Sequence, residues 1–261
     1  MCLLQNAITS TVLIIGSLLL NLSTQNSLLK SSYSINYLYL SHKLFNKIVG
    51  TIRIDVIFDA FKWLTMKGFS TDQLINDLKQ ITNDNIQLVK KKCTHLGENQ
   101  ILWRPQKDSW NIQEVLSHLN RYSSYYHHFF IDKINNTKFK SVKENFVSSP
   151  LGKSAWRSMK LGRANNIKRK FKAPKNFNPS ADPTILDKAP VNIFLEKQME
   201  MMNILEEANA VNLKKVKIPI SISKLVRLRL GDALMFVIYH NERHVQQINN
   251  ILAHPNFPKK K

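Results

Sequence analysis

The stretch from Leu230 to Leu252 repeats apolar residues at every third or fourth position, which strongly limits the structures it can adopt. At about 100° per residue, positions with this spacing share one face of an α-helix. The residues that fall on one arc of about 120°, all apolar except Asn241, are Leu230, Ala233, Leu234, Val237, Asn241, Val245, Ile248, Ile251 and Leu252. The pattern therefore predicts a long amphipathic helix with one face in a core.

Two histidines, His240 and His244, lie inside this apolar arc or on its edge. The helix is therefore expected to direct both imidazoles toward the core, where an ionisable side chain needs a partner. A third histidine, His118, lies at the rim of an earlier apolar stripe. Neutral imidazole is a good ligand for zinc, nickel, iron and copper, and three imidazoles leave a coordination position for water or substrate. These residues together predict a metal site between helices.

Three further amphipathic helices are predicted from the same periodicity and from their end signals. Ser70 or Thr71 can cap the first, Asn111 and Glu114 form a capping box for the second, and Pro190 suits the first turn of the third. The expected ranges are 71–89, 112–132, 190–208 and, for the fourth helix, Lys224 or Leu230 to Ala253. The second of these carries His118.

The linkages between the helices suggest how they are arranged. The stretch from Lys133 to Lys175, rich in Asn, Ser, Pro and Gly, predicts a long crossover loop, and Val211–Ile222 predicts an extended connector. Four helices with one long linkage predict an all-α four-helix bundle with a crossover between helices 2 and 3, an architecture that builds metal sites in its core. With seven glycines and no glycine-rich phosphate loop, nucleotide-binding α/β folds are disfavoured.

The formal charge of +20 is concentrated in the crossover. This stretch contains a single acidic residue, Glu144, and thirteen basic ones: Lys133, Lys138, Lys140, Lys143, Lys153, Arg157, Lys160, Arg163, Lys168, Arg169, Lys170, Lys172 and Lys175. Two interpretations are open, a solvated basic loop and a mouth that recruits anions to a neighbouring site. Nucleic acid is not the expected partner, because no helix-turn-helix, zinc-finger spacing or RNA-binding aromatic motif accompanies the charge.

The first 65 residues differ from the rest of the chain and form an N-terminal extension to a domain over 66–261. Residues 1–29 contain no Lys, Arg, Asp or Glu. Their apolar core is about half of the ~20 residues that a span requires, so two interpretations remain: a membrane segment over about 7–24, or a misassigned start upstream of Met66. Two cysteines cannot make a disulfide framework, so a reducing, cytoplasmic location is expected. If the extension inserts in a membrane, the basic residues after it keep the domain on the cytoplasmic side.

Two stretches of the chain resemble the two signatures of the DinB-like family. They are LWRPQKDSWNIQEVLSHL at 102–119 and LGDALMFVIYHNERHVQQI at 230–248, and the likeness covers about Phe69 to Pro258. The family includes bacillithiol S-transferases, mycothiol-dependent maleylpyruvate isomerases and proteins assigned as metal-dependent hydrolases. The resemblance implies a four-helix bundle whose metal is held by one histidine of helix 2 and an H-x-x-x-H pair of helix 4.

Carried over by position, the ligands implied by the resemblance are His118, His240 and His244, and the implied metal is a divalent ion, zinc or nickel. The implied activity is thiol S-transfer or hydrolysis, with a low-molecular-weight thiol as cosubstrate. The expected partners are a small anionic thiol or an electrophile, and a second copy of the chain in a homodimer. The alternatives are a noncatalytic stress or scaffold protein stapled by its metal, and a basic nucleic-acid-binding protein.

Other side chains near these ligands have open roles. Tyr122 and Tyr125 lie one and two turns from His118, while Arg243 and Gln247 lie near the ligand arc. Either tyrosine could orient a bound group. Arg243 and Gln247 could contact substrate or donate to a ligand, and for these two residues surface or packing roles are equally compatible with the pattern. Two aromatic residues, Trp103 and Trp110, are predicted to serve as core or cap residues. The segment HNERH is not the zincin H-E-x-x-H motif, so Glu242 is assigned no catalytic role, and no general base is identified.

Overall fold

The computed structural model describes residues 68–167, 169 and 171–259, and helices dominate them. The α-helices are α1 (Thr71–Cys93), α2 (Glu98–Ile101), α3 (Ile112–Asn135), α4 (Pro150–Met159), α5 (Pro190–Ala208) and α6 (Leu230–Leu252). The strands are β1 (Phe69–Ser70), β2 (Asn145–Phe146), β3 (Lys217–Ile220) and β4 (Ser223–Arg229), which pair antiparallel as β1–β2 and β3–β4. The prediction of an all-α fold is confirmed.

The helix starts follow the signals in the sequence. At α3 the Asn111 side chain accepts from the Glu114 amide at 2.8 Å, and the Glu114 carboxylate accepts from the Asn111 amide at 2.9 Å. Ser70 caps α1 by accepting from the Gln73 amide, and Pro190 opens α5. A side-chain cap such as those of Ser70 and Asn111 typically stabilises a helix by about 1 kcal/mol. The Asn111–Glu114 box fixes where α3 begins and hence where His118 lies along it.

The long helices α1, α3, α5 and α6 pack on one another around two hydrophobic clusters. The cluster at one end includes Leu78, Tyr126, Phe130, Leu205 and Leu234, and the cluster at the other includes Val89, Leu116, Leu119, Phe194 and Ile248. Along their helices, the buried polar residues Ser123, Gln198 and Asn241 fall between these two sets. A polar layer thus divides the apolar core.

The prediction that the crossover is a loop is wrong for residues 150–159, which form α4 and pack against α6. The Ser149 side chain caps this helix by accepting from the Gly152 amide at 3.0 Å, and Pro150 occupies its first turn. The Asp232 carboxylate of α6 in turn accepts from the Ser149 amide and hydroxyl at 3.0 and 2.9 Å. The Ser-Pro pair that suggests a loop is therefore a helix start, because proline needs no donor in a first turn.

The extended connector predicted over 211–222 belongs in part to a hairpin, since β3 pairs with β4. Residues 223–229 are strand, so the fourth helix begins at Leu230, and the alternative start at Lys224 is wrong. The alternation of apolar residues explains the strand: Ile218 lies opposite Leu228, and both side chains are buried. The hairpin thereby closes one side of the core.

The interpretations placed on the N-terminal extension, a membrane segment over about 7–24 or a misassigned start, lie outside the described residues. Within the part of the chain that the structure describes, no helix combines the length and hydropathy that a membrane span needs.

Candidate metal centre

Helices α3 and α6 bring three imidazoles together at their contact. His118 lies on α3, and His240 and His244 are one turn apart on α6. Their nearest ring nitrogens, one from each residue, all lie within 4.8 Å of one another. His118 is 2% exposed and His240 5% exposed, while His244 is partly buried. Residues from two distant parts of the sequence therefore meet inside the bundle, as the sequence predicts.

The spacing of these nitrogens suits a metal ion. The Nε2 atoms of His118 and His240 are 3.2 Å apart. Two nitrogens that each lie 2.0–2.1 Å from a tetrahedral zinc ion are separated by about 3.3 Å. The pair therefore has the separation of two corners of a coordination polyhedron, and the three-imidazole donor set fits zinc or nickel.

The outer nitrogens of two of the rings are already engaged. His118 Nδ1 donates to the carbonyl oxygen of Phe177 at 2.5 Å, and His244 Nδ1 donates to Oε1 of Gln247 at 2.9 Å. A carbonyl oxygen only accepts, so the Nδ1 of each neutral ring carries the proton and Nε2 keeps its lone pair. Histidines that bind metals are commonly oriented in this way. Gln247, one of the four residues with an open role, thus holds a ligand ring.

The third ring, His240, is held by packing. Its Nδ1 is buried and has no hydrogen-bond partner among the described residues. Phe236 stacks on the ring with centroids 6.0 Å apart and planes 7° apart, and Tyr122 packs at 4.6 Å. Aromatic contact thus restrains this imidazole.

Burial lowers the pKa of each imidazole. It brings the pKa of His118 to about 4, against a smaller opposing effect of the bond to Phe177. The pKa values of His240 and His244 fall well below 6.5, chiefly through burial and then through the charges of the neighbouring imidazoles. Because burial disfavours the charged form, all three rings are neutral at pH 7, which is the form that ligates metals.

An aromatic shell surrounds the imidazoles. Trp110 lies 4.8 Å from His118 and 6.1 Å from His244, centroid to centroid, and Tyr122 lies 4.9 Å from His118. The sequence interpretation of Trp110 as a core or cap aromatic thus misses its contact with two imidazoles. Both Trp110 and His244 are partly exposed, so the open edge of the centre lies beside them.

The structure does not bring Tyr125 or Trp103 to the imidazoles. The Tyr125 hydroxyl donates to the carbonyl oxygen of Ile220 at 2.9 Å, so this side chain ties α3 to the hairpin. Trp103 packs instead on His254 and Phe257, near the end of the described chain. Of the two tyrosines with open roles, only Tyr122 therefore lines the centre.

The crossover of residues 133–175 and the residues that follow it up to Phe177 supply contacts that the sequence does not predict. The Phe177 carbonyl accepts from His118, and the Phe177 ring packs on Tyr122 with centroids 4.3 Å apart. Six residues earlier, the Phe171 ring contacts the guanidinium of Arg243, which is 5% exposed. A main-chain acceptor in an irregular segment leaves no periodic signal, so sequence patterns could not have identified Phe177.

No carboxylate joins the imidazole cluster in the described part of the chain. Glu242, two residues from His240, is partly buried, and burial raises its pKa against the smaller effect of Lys160. That Glu242 has no catalytic role stays a prediction, and its position outside the imidazole cluster agrees with it. The centre is built from imidazoles and aromatic rings.

A family model described as the DinB superfamily matches residues 81–248, well over half of the chain. The matched span contains all three clustered histidines. No curated protein and no solved structure matches the chain significantly.

Proposed function

The chain belongs to the DinB superfamily, and from this premise we propose that it is a metal-dependent enzyme of the thiol S-transferase or hydrolase type. Its centre is His118, His240 and His244. The observation that carries the proposal is the orientation of the rings: His118 and His244 use Nδ1 for outward hydrogen bonds and keep Nε2 for a ligand. A cluster of histidines that served only packing would not need this arrangement.

The chain's own residues supply the setting for the chemistry. A bound divalent ion favours the ionised form of a thiol or of water, which is the nucleophilic form in each case. The buried imidazoles stay neutral and available for ligation, while Trp110 and Tyr122 exclude water from the flanks of the centre. The partly exposed edge beside His244 is where a small molecule would enter.

Of the two reactions, thiol transfer suits the centre better. Water needs a larger pKa change than a thiol, since their ordinary values are about 15.7 and 8.5, and hydrolysis commonly uses a carboxylate as general base. Among residues 68–167, 169 and 171–259, no carboxylate joins the cluster. A thiol can be ionised without such a base, so we favour a low-molecular-weight thiol as the cosubstrate.

A second candidate function follows from the burial of His118 and His240. In a noncatalytic scaffold, the ion would only cross-link α3 and α6, and every coordination position would be closed. Such a protein would retain its ion and would show no response to added thiols.

A transfer assay tests the proposal. The metal-loaded protein would be mixed with bacillithiol, glutathione or coenzyme A and the electrophile 1-chloro-2,4-dinitrobenzene, and thioether formation would be followed. We expect catalysis with at least one thiol and its loss in His240→Ala, with the exposed His128→Ala as a matched control on α3. The scaffold would be favoured by two results together: the metal-loaded protein is inactive with every thiol, and the visible spectrum of its cobalt form does not change when the thiols are added.

A further inference from the structure

Arg243 is a buried cation without a counter-charge. The residue is 5% exposed, and its Nη1 atom is buried without a hydrogen-bond partner among the described residues. Within 68–167, 169 and 171–259, no carboxylate forms an ion pair with it. A buried charge is costly unless it is paired and hydrogen-bonded. An anion from outside the chain could therefore supply the counter-charge that this guanidinium lacks among the described residues.

The place of this cation links it to the metal centre. Arg243 directly precedes His244 and follows His240 by three residues, so it lies about 60° around α6 from the His240 side chain. A molecule with one end at the imidazoles could therefore reach the guanidinium with the other.

The crossover holds the guanidinium in place through an aromatic ring. The Cζ atom of Arg243 lies 5.3 Å from the centroid of Phe171, and the Cζ atom of Arg169 lies 5.2 Å from the same centroid. Guanidinium groups over an aromatic ring are attracted to its face. Two cations thus share one ring, and their mutual repulsion is relieved when an anion binds near them.

We propose that Arg243 binds a carboxylate of the substrate thiol, so that the cosubstrate is a small mercaptocarboxylate. The planar guanidinium fork matches a carboxylate through two parallel hydrogen bonds, and burial strengthens them. This inference rests on the proposed function. It also gives the basic crossover a role, because its positive charge would attract the same anion. The competing explanation is that Arg243 only packs against Phe171 and contacts no substrate.

A matched pair of probes separates these explanations. The cobalt-loaded protein would be titrated with 3-mercaptopropionate and with its uncharged methyl ester, and thiolate-to-cobalt absorption would report binding. We expect wild type to bind the acid about tenfold or more tightly than the ester, the size of a charged hydrogen bond. In Arg243→Gln the two probes should bind with affinities within about twofold of each other. Arg157→Gln is the control and should keep the preference, because Arg157 is exposed and its guanidinium also stacks on an aromatic ring.

Comparison between variants cancels the different thiol acidities of the two probes and any general effect of a substitution on the site. Arg243→Lys keeps the charge and loses the fork, so its preference should be intermediate; this variant decides the test if Arg243→Gln does not fold. Mercaptoethyl phosphate, as a third probe, would show whether a phosphate replaces the carboxylate, and tighter binding of it than of the acid would overturn the carboxylate assignment.

The outcomes separate this inference from the proposed function. Failure of the wild type to bind cobalt would contradict the metal centre itself. Binding of cobalt and of both thiols, with no preference for the acid or with a preference that survives Arg243→Gln, would contradict the role of Arg243 and leave the metal centre intact.

Discussion

The Nε2 atoms of His118 and His240 lie 3.2 Å apart, although the two residues are separated by 122 positions in the chain. Since His118 Nδ1 donates to the Phe177 carbonyl, the Nε2 of the neutral ring presents a lone pair to His240. If the proton of His240 is on Nε2, this ring donates to His118, but its buried Nδ1 is left as an acceptor without a donor. If the proton is on Nδ1, the lone pairs of the two Nε2 atoms face each other. A cation between the rings removes the second conflict, because both nitrogens then act as ligands.

Gln247 should control metal affinity without touching the ion. Its Oε1 accepts from His244 Nδ1 at 2.9 Å, so Gln247→Leu removes the group that orients this ring. Loss of such an outer partner typically weakens metal binding by about 10–100-fold, which a chelator competition titration would measure. Gln246→Leu is the matched control, because this neighbour bonds Asn250 instead. Equal zinc affinities in the two variants would show that the Gln247 contact does not orient a ligand.

His127 should make the stability of the protein depend on pH. Burial lowers its pKa below the ordinary 6.5, against the smaller opposing effect of the Glu200 carboxylate 2.8 Å away. The unfolded state therefore binds more protons as pH falls below 6.5. The stabilising contribution is full above pH 6.5 and is lost toward the lower folded-state pKa, by at most about 1.4 kcal/mol per pH unit.

The measurement is urea unfolding at pH 7.5 and 5.5 for wild type and His127→Gln. Other groups titrate alike in both proteins and cancel in the difference between them. Wild type should lose more free energy of unfolding than the variant between the two pH values. A difference that does not change with pH would mean that the His127 pKa is the same in the folded and unfolded states.

Gly152 should be essential for docking α4 on α6. A Cβ atom at this position would overlap Oδ2 of Asp232, the carboxylate that also accepts from Ser149. Gly152→Ala must therefore displace a buried group, and overpacking of this kind typically costs about 1–3 kcal/mol. Gly97→Ala is the control, because a Cβ there meets nothing within 4 Å. Thermal unfolding should show a clear loss for the first variant and a small change for the second, and equal stabilities would contradict the docking.

The sequence predicted the helix starts and the buried helix faces, because capping residues and the spacing of apolar residues decide these features locally. The Asn111–Glu114 box and the proline at position 190 give the starts of α3 and α5, and the 3.6-residue period gives the core face of α6. The convergence of the three histidines also followed, because each lies on or beside an apolar face that packing buries. What remained hidden depends on contacts between distant segments.

The crossover shows why those contacts could not be read in advance. Its composition suggests a loop, yet Asp232 of α6 stabilises a helix there through Ser149, a pairing across 83 positions. The Phe177 carbonyl and the contact of Phe171 with Arg243 likewise arise only when the segment folds over the centre. Tertiary packing decides such contacts, and it leaves no period in the sequence.

The metal content of the purified protein tests the three-histidine centre most directly. Protein prepared without chelator would be analysed by inductively coupled plasma mass spectrometry, alongside His240→Ala and the exposed control His128→Ala. We expect about one divalent ion per chain in wild type and the control, as one three-imidazole site implies, and little or none in His240→Ala. Folded wild type that lacks a divalent ion and takes up none on addition of zinc or nickel would contradict the metal centre.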